Sequence, residues 1–351
     1  MNPSASQPID LLQELIAIPS FSKEESETAT VIRDYLSENG IEAKRYLNNI
    51  WAKNKHFDTT KPTILLNSHH DTVQPSSTYS RDPFEAHITN DTLYGLGSND
   101  AGGALSSLIA TFIHFYEQKD LNYNLLLAIT AEEEISGDNG IGSLLKEIPS
   151  IKFGIVGEPT QMQMAVAEKG LMVLDCLAIG ESGHTARNEG KNAIHIAGGD
   201  IEWIQFYEFE KESELLGPIK MTPAIIEGGS KHNVVPDRCS FTLDVRTTDA
   251  YTNEETLAII QNYLISEVTP RSTRLQPSFI AEDHPIVAAG KDIGVSTFGS
   301  PTLSDQALLP FPSVKIGPGN SARSHTADEY IYIGEIAKGI NTYIRLLTQI
   351  L

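Results

Sequence analysis

The sequence predicts an α/β catalytic domain, with a mainly parallel or mixed sheet and helices on both of its faces, and a smaller α+β domain inserted into it. Nearly continuous apolar runs alternate with helical patterns near both ends of the chain, as expected of strands buried on both faces. Between about residues 170 and 273 the strands have one polar face instead, which is typical of antiparallel sheets. A length of 351 residues also suits two domains.

The chain begins with two predicted helices. Residues 10–18 carry apolar side chains at helical spacing. Ser22 stands three residues before Glu25, a capping-box pattern that predicts the start of the second helix. Asn39-Gly40 predicts its end.

Four short apolar runs then predict the strands of the main sheet: 63–67, 125–129, 153–156 and 314–316. A helix is predicted over residues 101–116, between the first two runs. In the middle of the chain the patterns predict strands over 171–179 and 240–246 and helices over 193–209 and 254–264. We therefore predict a catalytic domain of residues 1–168 and 275–351 and an inserted lid or dimerisation domain of residues 169–274.

The composition excludes several functional classes. A formal net charge of −20 disfavours contact with nucleic acid or anionic membranes. No window approaches the apolar length of a membrane span, and the N-terminus has no basic residue before Lys23, so no secretory signal is expected. Two cysteines are too few for a disulfide framework. These features predict a cytoplasmic protein.

Polar groups with metal-binding side chains follow the predicted strands or precede the central helix; they are Ser68–Asp71, Gly97–Asp100, Thr130–Glu134, Gly157–Thr160 and Ser324–Thr326. In open α/β sheets, such groups converge beyond the carboxyl ends of the strands. His69 and Asp71 share a strand face, while His70 points away. Mixed nitrogen and oxygen ligands suit zinc, manganese or cobalt.

In these residues the sequence resembles the dinuclear metallo-deacylase and exopeptidase family, which includes acetylornithine deacetylase, succinyl-diaminopimelate desuccinylase, carboxypeptidase G and aminoacylase. The matching motifs occur in the family's order over nearly the whole chain: His69-His70-Asp71, Asp100 in GLGSNDAGG, Glu133-Glu134 in TAEEE, Glu158 in GEPT, and His325 in SHTADEY. The wording of SHHDTV and GSNDAGGAL is most similar to acetylornithine deacetylase-like enzymes.

The resemblance implies two divalent metal ions, Zn²⁺ with Co²⁺ as a possible substitute. His69, Glu158 and one side of Asp100 would bind the first ion, and Glu134, His325 and the other side of Asp100 the second. Asp71 would support His69 as the usual carboxylate partner of a metal-bound imidazole. Glu133 would be the general base, taking a proton from the metal-bridging water and passing it to the leaving amine.

The middle segment also resembles the family. GESGHTARNEGKNAI is similar to a lid-domain motif whose histidine, here His184, acts in the partner subunit's active site, which implies a homodimer. HNVVPDR and DVRTT resemble strands that hold the substrate, which assigns that role to Asn233 and Arg246. Arg323, two residues before His325, is a further substrate-binding candidate.

Some points stay open at this stage. A slip of one residue within TAEEE would give Glu132 and Glu133 the roles of Glu133 and Glu134. The family's lysine two residues after the bridging aspartate is missing here, and its Gly-Thr-Ser-Asp stretch reads Thr302–Asp305. These departures concern substrate choice.

The sequence thus predicts metal-dependent hydrolysis of an N-acyl amino acid. N-acetyl- or N-succinyl-ornithine or -citrulline, in arginine biosynthesis, are the expected substrates. The alternatives are a metallo-dipeptidase or aminopeptidase of the same fold, and a catalytically silent binding relative.

Overall fold

A computed structural model describes residues 6–351. Residues 1–5 lie outside this range. The predicted start of the catalytic domain and the start of the segment predicted to carry no secretory signal fall on these residues. The chain divides into two compact units. The first contains the described residues up to Val166 together with Ile280–Phe298 and Ser304–Leu351, and the second contains Ala167–Phe279 and Gly299–Leu303.

These boundaries differ by a few residues from the expected insertion of 169–274. The second unit extends to residue 279 because Ser278 and Phe279 pair antiparallel with Glu168 and Ala167. It also takes in residues 299–303, because the Lys169 backbone N–H donates to the Ser300 carbonyl at 3.1 Å. A role of this unit as a lid or a dimerisation domain stays a prediction.

The helices are, in chain order, α1 (Ser6–Ile16), α2 (Ser26–Glu38), α3 (Gly103–Phe115), α4 (Ile141–Leu144), α5 (Ala193–Phe206), α6 (Asn253–Tyr263), α7 (Pro285–Asp292) and α8 (Ile333–Thr348). Most of those that the sequence predicted begin and end within a few residues of the predicted bounds. In the described part of the chain, none combines the length and the apolar surface that crossing a bilayer requires.

The strands are β1 (Lys44–Tyr46), β2 (Asn49–Lys53), β3 (Thr63–His69), β4 (His87–Thr89), β5 (Thr92–Tyr94), β6 (Asn124–Thr130), β7 (Phe153–Val156), β8 (Met164–Glu168), β9 (Gly170–Ile179), β10 (Gly183–His184), β11 (Lys220–Gly228), β12 (Val234–Val235), β13 (Arg238–Thr247), β14 (Glu267–Pro270), β15 (Ser278–Phe279), β16 (Thr297–Ser300), β17 (Ser313–Lys315) and β18 (Tyr330–Tyr332).

The main sheet of the first unit has the order β1-β2-β6-β3-β7-β17-β8. Its central strands β6, β3, β7 and β17 run parallel to one another, and the outer pairs are antiparallel. Ile64 and Leu66 of β3 face a core shared with α2, α3, α7 and α8, whereas Leu65 faces a core shared with α4. This arrangement confirms the predicted α/β class with helices on both faces, and it brings the carboxyl ends of β3, β6 and β7 to one edge.

The second unit contains an antiparallel sheet of order β11-β13-β9-β14. Along β13, buried residues alternate with more exposed ones, so the sheet has one packed face. The packed face includes Met172, Leu174, Phe241 and Leu243 and lies against α5 and α6. The unit is therefore the predicted α+β arrangement.

The start of α2 differs from the expected capping box. The helix begins at Ser26, so Glu25 itself occupies the N-cap position, and its side chain makes no capping bond to the described residues of the first turn. Ser22 instead donates its hydroxyl to Asp71 Oδ2 at 2.7 Å. The Ser22 hydroxyl, which was predicted to cap the helix, therefore binds the buried Asp71 carboxylate, because a charged oxygen is a stronger acceptor than a neutral group.

Candidate metal centre

The predicted ligands of the metal centre lie at one edge of the main sheet. His69 is the last residue of β3, Glu158 follows the end of β7 by two residues, and the turn 131–134 follows β6 directly. Because β3, β6 and β7 are parallel, their carboxyl ends deliver these groups to the same place. Asp100 lies in the irregular turn Ser98–Gly102 before α3, and His325 follows the short 3-10 turn Ser321–Arg323.

Asp100 lies between the two histidines. Its Oδ1 is 3.3 Å from His69 Nε2, and its Oδ2 is 3.7 Å from His325 Nε2. His69 Nε2 is also 3.7 Å from Glu158 Oε1, and His325 Nε2 is 3.0 Å from Glu134 Oε2. A carboxylate that turns one oxygen to each ligand set has the arrangement expected of a bridge between two ions.

The donor set fits divalent cations. Ligand atoms lie within 4.8 Å of one another in two groups, His69–Asp100–Glu134 and His69–Glu133–Glu158. Glu158 Oε1 is buried and has no hydrogen-bond partner among residues 6–351, which is costly for a carboxylate oxygen unless a cation binds it. Imidazole and carboxylate ligands are those of zinc, manganese and cobalt sites.

The electrostatics of these side chains indicate the same need for positive charge. Burial raises the pKa of Glu158 well above its usual value, and the neighbouring Asp100 raises it further. Burial would lower the pKa of His69, but the carboxylates of Glu133, Asp100, Asp71 and Glu158 outweigh it and raise this pKa well above the ordinary value. Crowded carboxylates with raised pKa values are the groups that a divalent cation would neutralise.

Asp71 contacts His69, as expected. Its Oδ1 is 3.5 Å from His69 Nδ1, and its carbonyl oxygen lies 3.0 Å from the same nitrogen. Burial opposes ionisation, yet hydrogen bonds and charge from His69 keep the Asp71 pKa below its usual value. His70 points away, as predicted: its Nδ1 lies 2.9 Å from Thr28 Oγ1, and burial lowers its pKa to about 4, so its ring is neutral.

The three glutamates of TAEEE have different surroundings. Glu132 Oε1 accepts from the Asn139 side-chain amide at 2.8 Å. Glu133 and Glu134 lie in the cluster, with Glu133 Oε2 3.9 Å from His69 Nε2. Burial raises the pKa of Glu133 well above its usual value, with Glu158 adding to the effect and His69 opposing it. Of the two possible registers, the structure brings Glu133 and Glu134 to the histidines.

Sequence reasoning missed Glu329, which fixes the loop that carries Asp100. This carboxylate is buried and accepts the backbone N–H groups of Gly97, Asn99 and Asp100 at 3.1, 2.8 and 2.9 Å. Burial, together with the charge of Asp100, raises its pKa to about 8. Its position in SHTADEY, four residues after His325, was the available signal.

The guanidinium group of Arg323 is engaged within the first unit. It forms two hydrogen bonds with Glu335, at 2.7 and 3.2 Å, and lies over the rings of Tyr330 and Tyr332 at 4.7 and 4.8 Å. These contacts account for the side chain without a ligand. Its role in substrate binding stays a prediction.

The remaining substrate candidates belong to the second unit. His184 of β10 pairs with Val234 of β12, and the N–H of the next residue, Thr185, donates to the Asn233 carbonyl at 3.4 Å. His184 is exposed, and its Nδ1 accepts the Ala186 N–H at 3.1 Å. Arg246 donates two hydrogen bonds to Asp244, at 2.9 and 3.1 Å.

The sequence matches a known family over most of its length. Residues 65–349 match Peptidase family M20/M25/M40. The chain belongs to this family. The resemblance seen in the motifs is thereby confirmed.

Individual relatives match nearly the whole chain. A LysW-lysine/LysW-ornithine hydrolase of Sulfurisphaera tokodaii is 26% identical over 352 residues, covering 97% of this chain and 95% of the relative. A succinyl-diaminopimelate desuccinylase of a Ruegeria species is 24% identical over 383 residues, with coverages of 98% and 95%.

Solved structures show the same fold. A tripeptidase of Staphylococcus aureus has a TM-score of 0.78 at 20% identity and covers 100% of this chain and 99% of its own. The YXEP protein of Bacillus subtilis, described as a dinuclear metal-binding peptidase of the M20 family, has a TM-score of 0.75 at 16% identity, with coverages of 99% and 98%.

Membership of the M20 family makes this chain a metal-dependent hydrolase. The described residues of this chain contain candidate ligand groups for such metal ions in the histidine–carboxylate cluster.

Proposed function

We propose that this M20 hydrolase is a zinc-dependent N-acyl-amino-acid amidohydrolase that acts on N-acetyl- or N-succinyl-ornithine or -citrulline in arginine biosynthesis. The observation that carries the proposal is the position of Glu133, a half-buried carboxylate beside the candidate ligand cluster. The names of two relatives support the substrate class, since one is a LysW-lysine/LysW-ornithine hydrolase and the other is a succinyl-diaminopimelate desuccinylase.

In this proposal His69, Asp100 and Glu158 hold one ion, and Glu134, Asp100 and His325 hold the other. Zinc is the proposed metal, with cobalt as a substitute. Bound divalent ions would polarise the scissile carbonyl group and lower the pKa of water. The distances from Asp100 to both histidines support this division of ligands.

Glu133 is the proposed general base. Its Oε2 would take a proton from the attacking water and then deliver it to the leaving amine. Asp71 would keep the His69 ring in its orientation through the contact at Nδ1. The M20 relatives supply the reaction class, hydrolysis, for which such a proton carrier is needed.

His184, Asn233 and Arg246 are proposed to bind the substrate, with His184 acting across a homodimer. Because His184 Nδ1 accepts the Ala186 N–H, the ring is left to donate through Nε2, in this proposal to the scissile carbonyl oxygen. Arg246 has the fork that a substrate carboxylate requires. Two buried cysteines that form no disulfide support the further proposal of a cytoplasmic location.

The test is amine release from a panel of N-acetyl and N-succinyl forms of ornithine and citrulline, with unblocked dipeptides alongside. Zinc- or cobalt-loaded protein is compared with chelator-treated protein. Metal-dependent release from one acyl amino acid is the expected result. Cleavage of dipeptides alone would replace the proposal by a peptidase, and no cleavage of any compound would favour a silent binding relative.

A further inference from the structure

The turn that carries Glu133 and Glu134 is held by side chains from elsewhere in the chain. After β6 ends, four successive backbone N–H groups are each accepted by a side-chain oxygen. Ala131 donates to Asn49 Oδ1 at 3.0 Å, Glu132 to Glu25 Oε1 at 3.2 Å, and Glu133 and Glu134 to Asp71 Oδ1 and Oδ2, both at 3.1 Å. The direction of this turn is therefore set by three distant residues.

Glu132 is the point in the turn that most needs such support. Its φ of 57° lies in the left-handed region, which a non-glycine residue adopts at a cost and retains where its surroundings fix it. Its carboxylate accepts hydrogen bonds from the backbone and the side chain of Asn139, at 3.3 and 2.8 Å. A rotation at this residue would redirect both glutamates that follow it.

Glu25 is built into the fold as an acceptor. The residue is 0% exposed, and its Oε1 also accepts the Lys23 N–H at 2.6 Å. Its Oε2 accepts from the side-chain amide of Asn48 at 2.8 Å, while Asn48 Oδ1 accepts from Arg45 at 2.8 Å. Both carboxylate oxygens of Glu25 thus have donors, and the Glu132 N–H is the donor that belongs to the turn carrying Glu133 and Glu134.

We propose that Glu25 is a positioning residue of the hydrolase, which aims Glu133 and Glu134 by fixing the Glu132 peptide, with Asn48 orienting its carboxylate. The proposal rests on the proposed function in that it takes Glu133 as base and Glu134 as ligand. Glu25 belongs to neither of the candidate ligand groups. Glu25 acts through the Glu132 backbone N–H, and it thereby sets where the carboxylates of Glu133 and Glu134 lie relative to the two histidines.

Glu25→Gln is the variant that separates positioning from packing. It keeps the size of the side chain, but the amide replaces one acceptor oxygen by an NH₂ donor. That donor then faces either the N–H groups of Lys23 and Glu132 or the side-chain amide of Asn48. Asn48→Asp alone places two carboxylates together.

The double variant, Glu25→Gln with Asn48→Asp, restores the pattern of donors and acceptors. The new amide at position 25 accepts from the Glu132 N–H and donates to the new carboxylate at position 48. The other oxygen of that carboxylate still accepts from Arg45. The geometry is therefore recovered with the charge exchanged between the two positions.

The expected result is a fall of ~10- to 100-fold in kcat for Glu25→Gln, with little change in KM, and recovery of most of this loss in the double variant. Amide hydrogen exchange at Glu132–Glu134 should be ~10-fold or more faster in Glu25→Gln and slow again in the double variant. This second readout needs neither substrate nor metal.

Asn124→Ala is the matched control. Asn124 is buried at the opposite end of β6, where it hydrogen-bonds Asp58 and Lys61. Its loss should lower Tm without changing kcat or the exchange of residues 132–134. If Asn124→Ala lost as much kcat as Glu25→Gln at an equal loss of Tm, the role of Glu25 would be structural and the proposal overturned.

The two proposals fail in different ways. If the wild-type protein releases no amine from any compound, but exchange at 132–134 changes as expected, the proposed function fails and the positioning of the turn holds. If the wild type is active and Glu25→Gln keeps its kcat within about twofold, or the double variant recovers nothing, the positioning role is refuted and the proposed function stands.

Discussion

Asp71 accepts the backbone N–H group of Glu134 through Oδ2, at 3.1 Å. Its Oδ1 does the same for Glu133 and lies 3.5 Å from the ring of His69. A single carboxylate therefore contacts His69, a proposed metal ligand, and also fixes the backbone of Glu134, a second proposed ligand, and of Glu133, the proposed base. Both oxygens are needed, since each accepts from a different backbone group.

Asp71→Asn should damage the metal centre without unfolding the protein. The amide can replace only one of the two acceptors, so a donor would face one of the N–H groups of the turn. We expect metal affinity to fall by ~10- to 100-fold, as for other outer partners of metal-bound histidine, and kcat to fall with it. Competition with a chelator measures the affinity.

Ser22→Ala is the control for this variant, because it removes one hydrogen bond to Asp71 and leaves both of its oxygens in place. A small effect on metal affinity is expected. Equal effects of the two substitutions would contradict the role given to Asp71.

Glu133→Gln should abolish proton transfer while the ligands stay intact. General acid–base groups contribute ~10²–10⁴-fold, so kcat should fall by at least that factor with the metal content unchanged. Glu132→Gln is the matched control, since the Glu132 side chain binds Asn139. If Glu132→Gln were the more damaging change, the other register of the three glutamates would be correct.

The convergence of the candidate ligand groups could be predicted because strands buried on both faces allow few arrangements. The strands ending at His69, Thr130 and Val156 are buried throughout, and parallel pairing brings the residues after each strand to one edge. The order of the glutamates could not be derived from spacing. It depends on the left-handed Glu132, which is held by Glu25 from a distant part of the sequence.

Local patterns were less reliable where a stronger long-range partner existed. Ser22 and Glu25 match a capping box in sequence, but both are used by residues that come after β3 and β6. Arg323 lies near His325 in sequence, yet its side chain is taken by Glu335. In each case the side chain binds a carboxylate or a peptide group that is distant in sequence, in place of the partner that the local pattern predicts. Sequence spacing does not reveal such long-range partners.

Arg246→Lys should raise KM more than it lowers kcat. Lysine keeps the charge but loses the two-pronged geometry that suits a carboxylate, so we expect KM for an acyl amino acid to rise by ~10-fold or more. The carboxamide analogue of the same substrate should show no such change. Arg271→Lys is the control, because Arg271 forms an equivalent fork with Asp175 at 2.9 Å on the same sheet. Equal effects of both variants would indicate a structural role.

The two cysteines should be unreactive in the folded protein. Burial, with a contribution from Asp200, raises the pKa of Cys176 to about 12, so at neutral pH the group is a thiol and not a thiolate. Cys239 is 1% exposed. A thiol reagent should label neither residue in the native state and both in denaturant. Ile179→Cys, at an exposed position of the same strand as Cys176, should react at once; rapid native labelling of the wild type would contradict the burial.

Asp305 should make the metal-free protein less stable as the pH rises. Burial raises the pKa of its carboxyl group from 3.8 to about 6, while the hydroxyl of Thr130, which donates at 2.7 Å, opposes the shift. An acid with a raised pKa in the folded state binds its proton more tightly there, so its contribution to stability is greatest below about pH 4 and is lost as the pH rises through about 6.

Asp305→Asn keeps the shape and an acceptor for Thr130 but cannot ionise. The free energy of unfolding of the variant should therefore equal that of the wild type at pH ~4. At pH ~7.5 it should be higher, by at most about 3 kcal/mol. Denaturant unfolding of chelator-treated protein at both pH values measures the difference in the free energy of unfolding. If this difference did not grow with pH, the pKa of Asp305 would not be raised in the folded protein, and the prediction would be wrong.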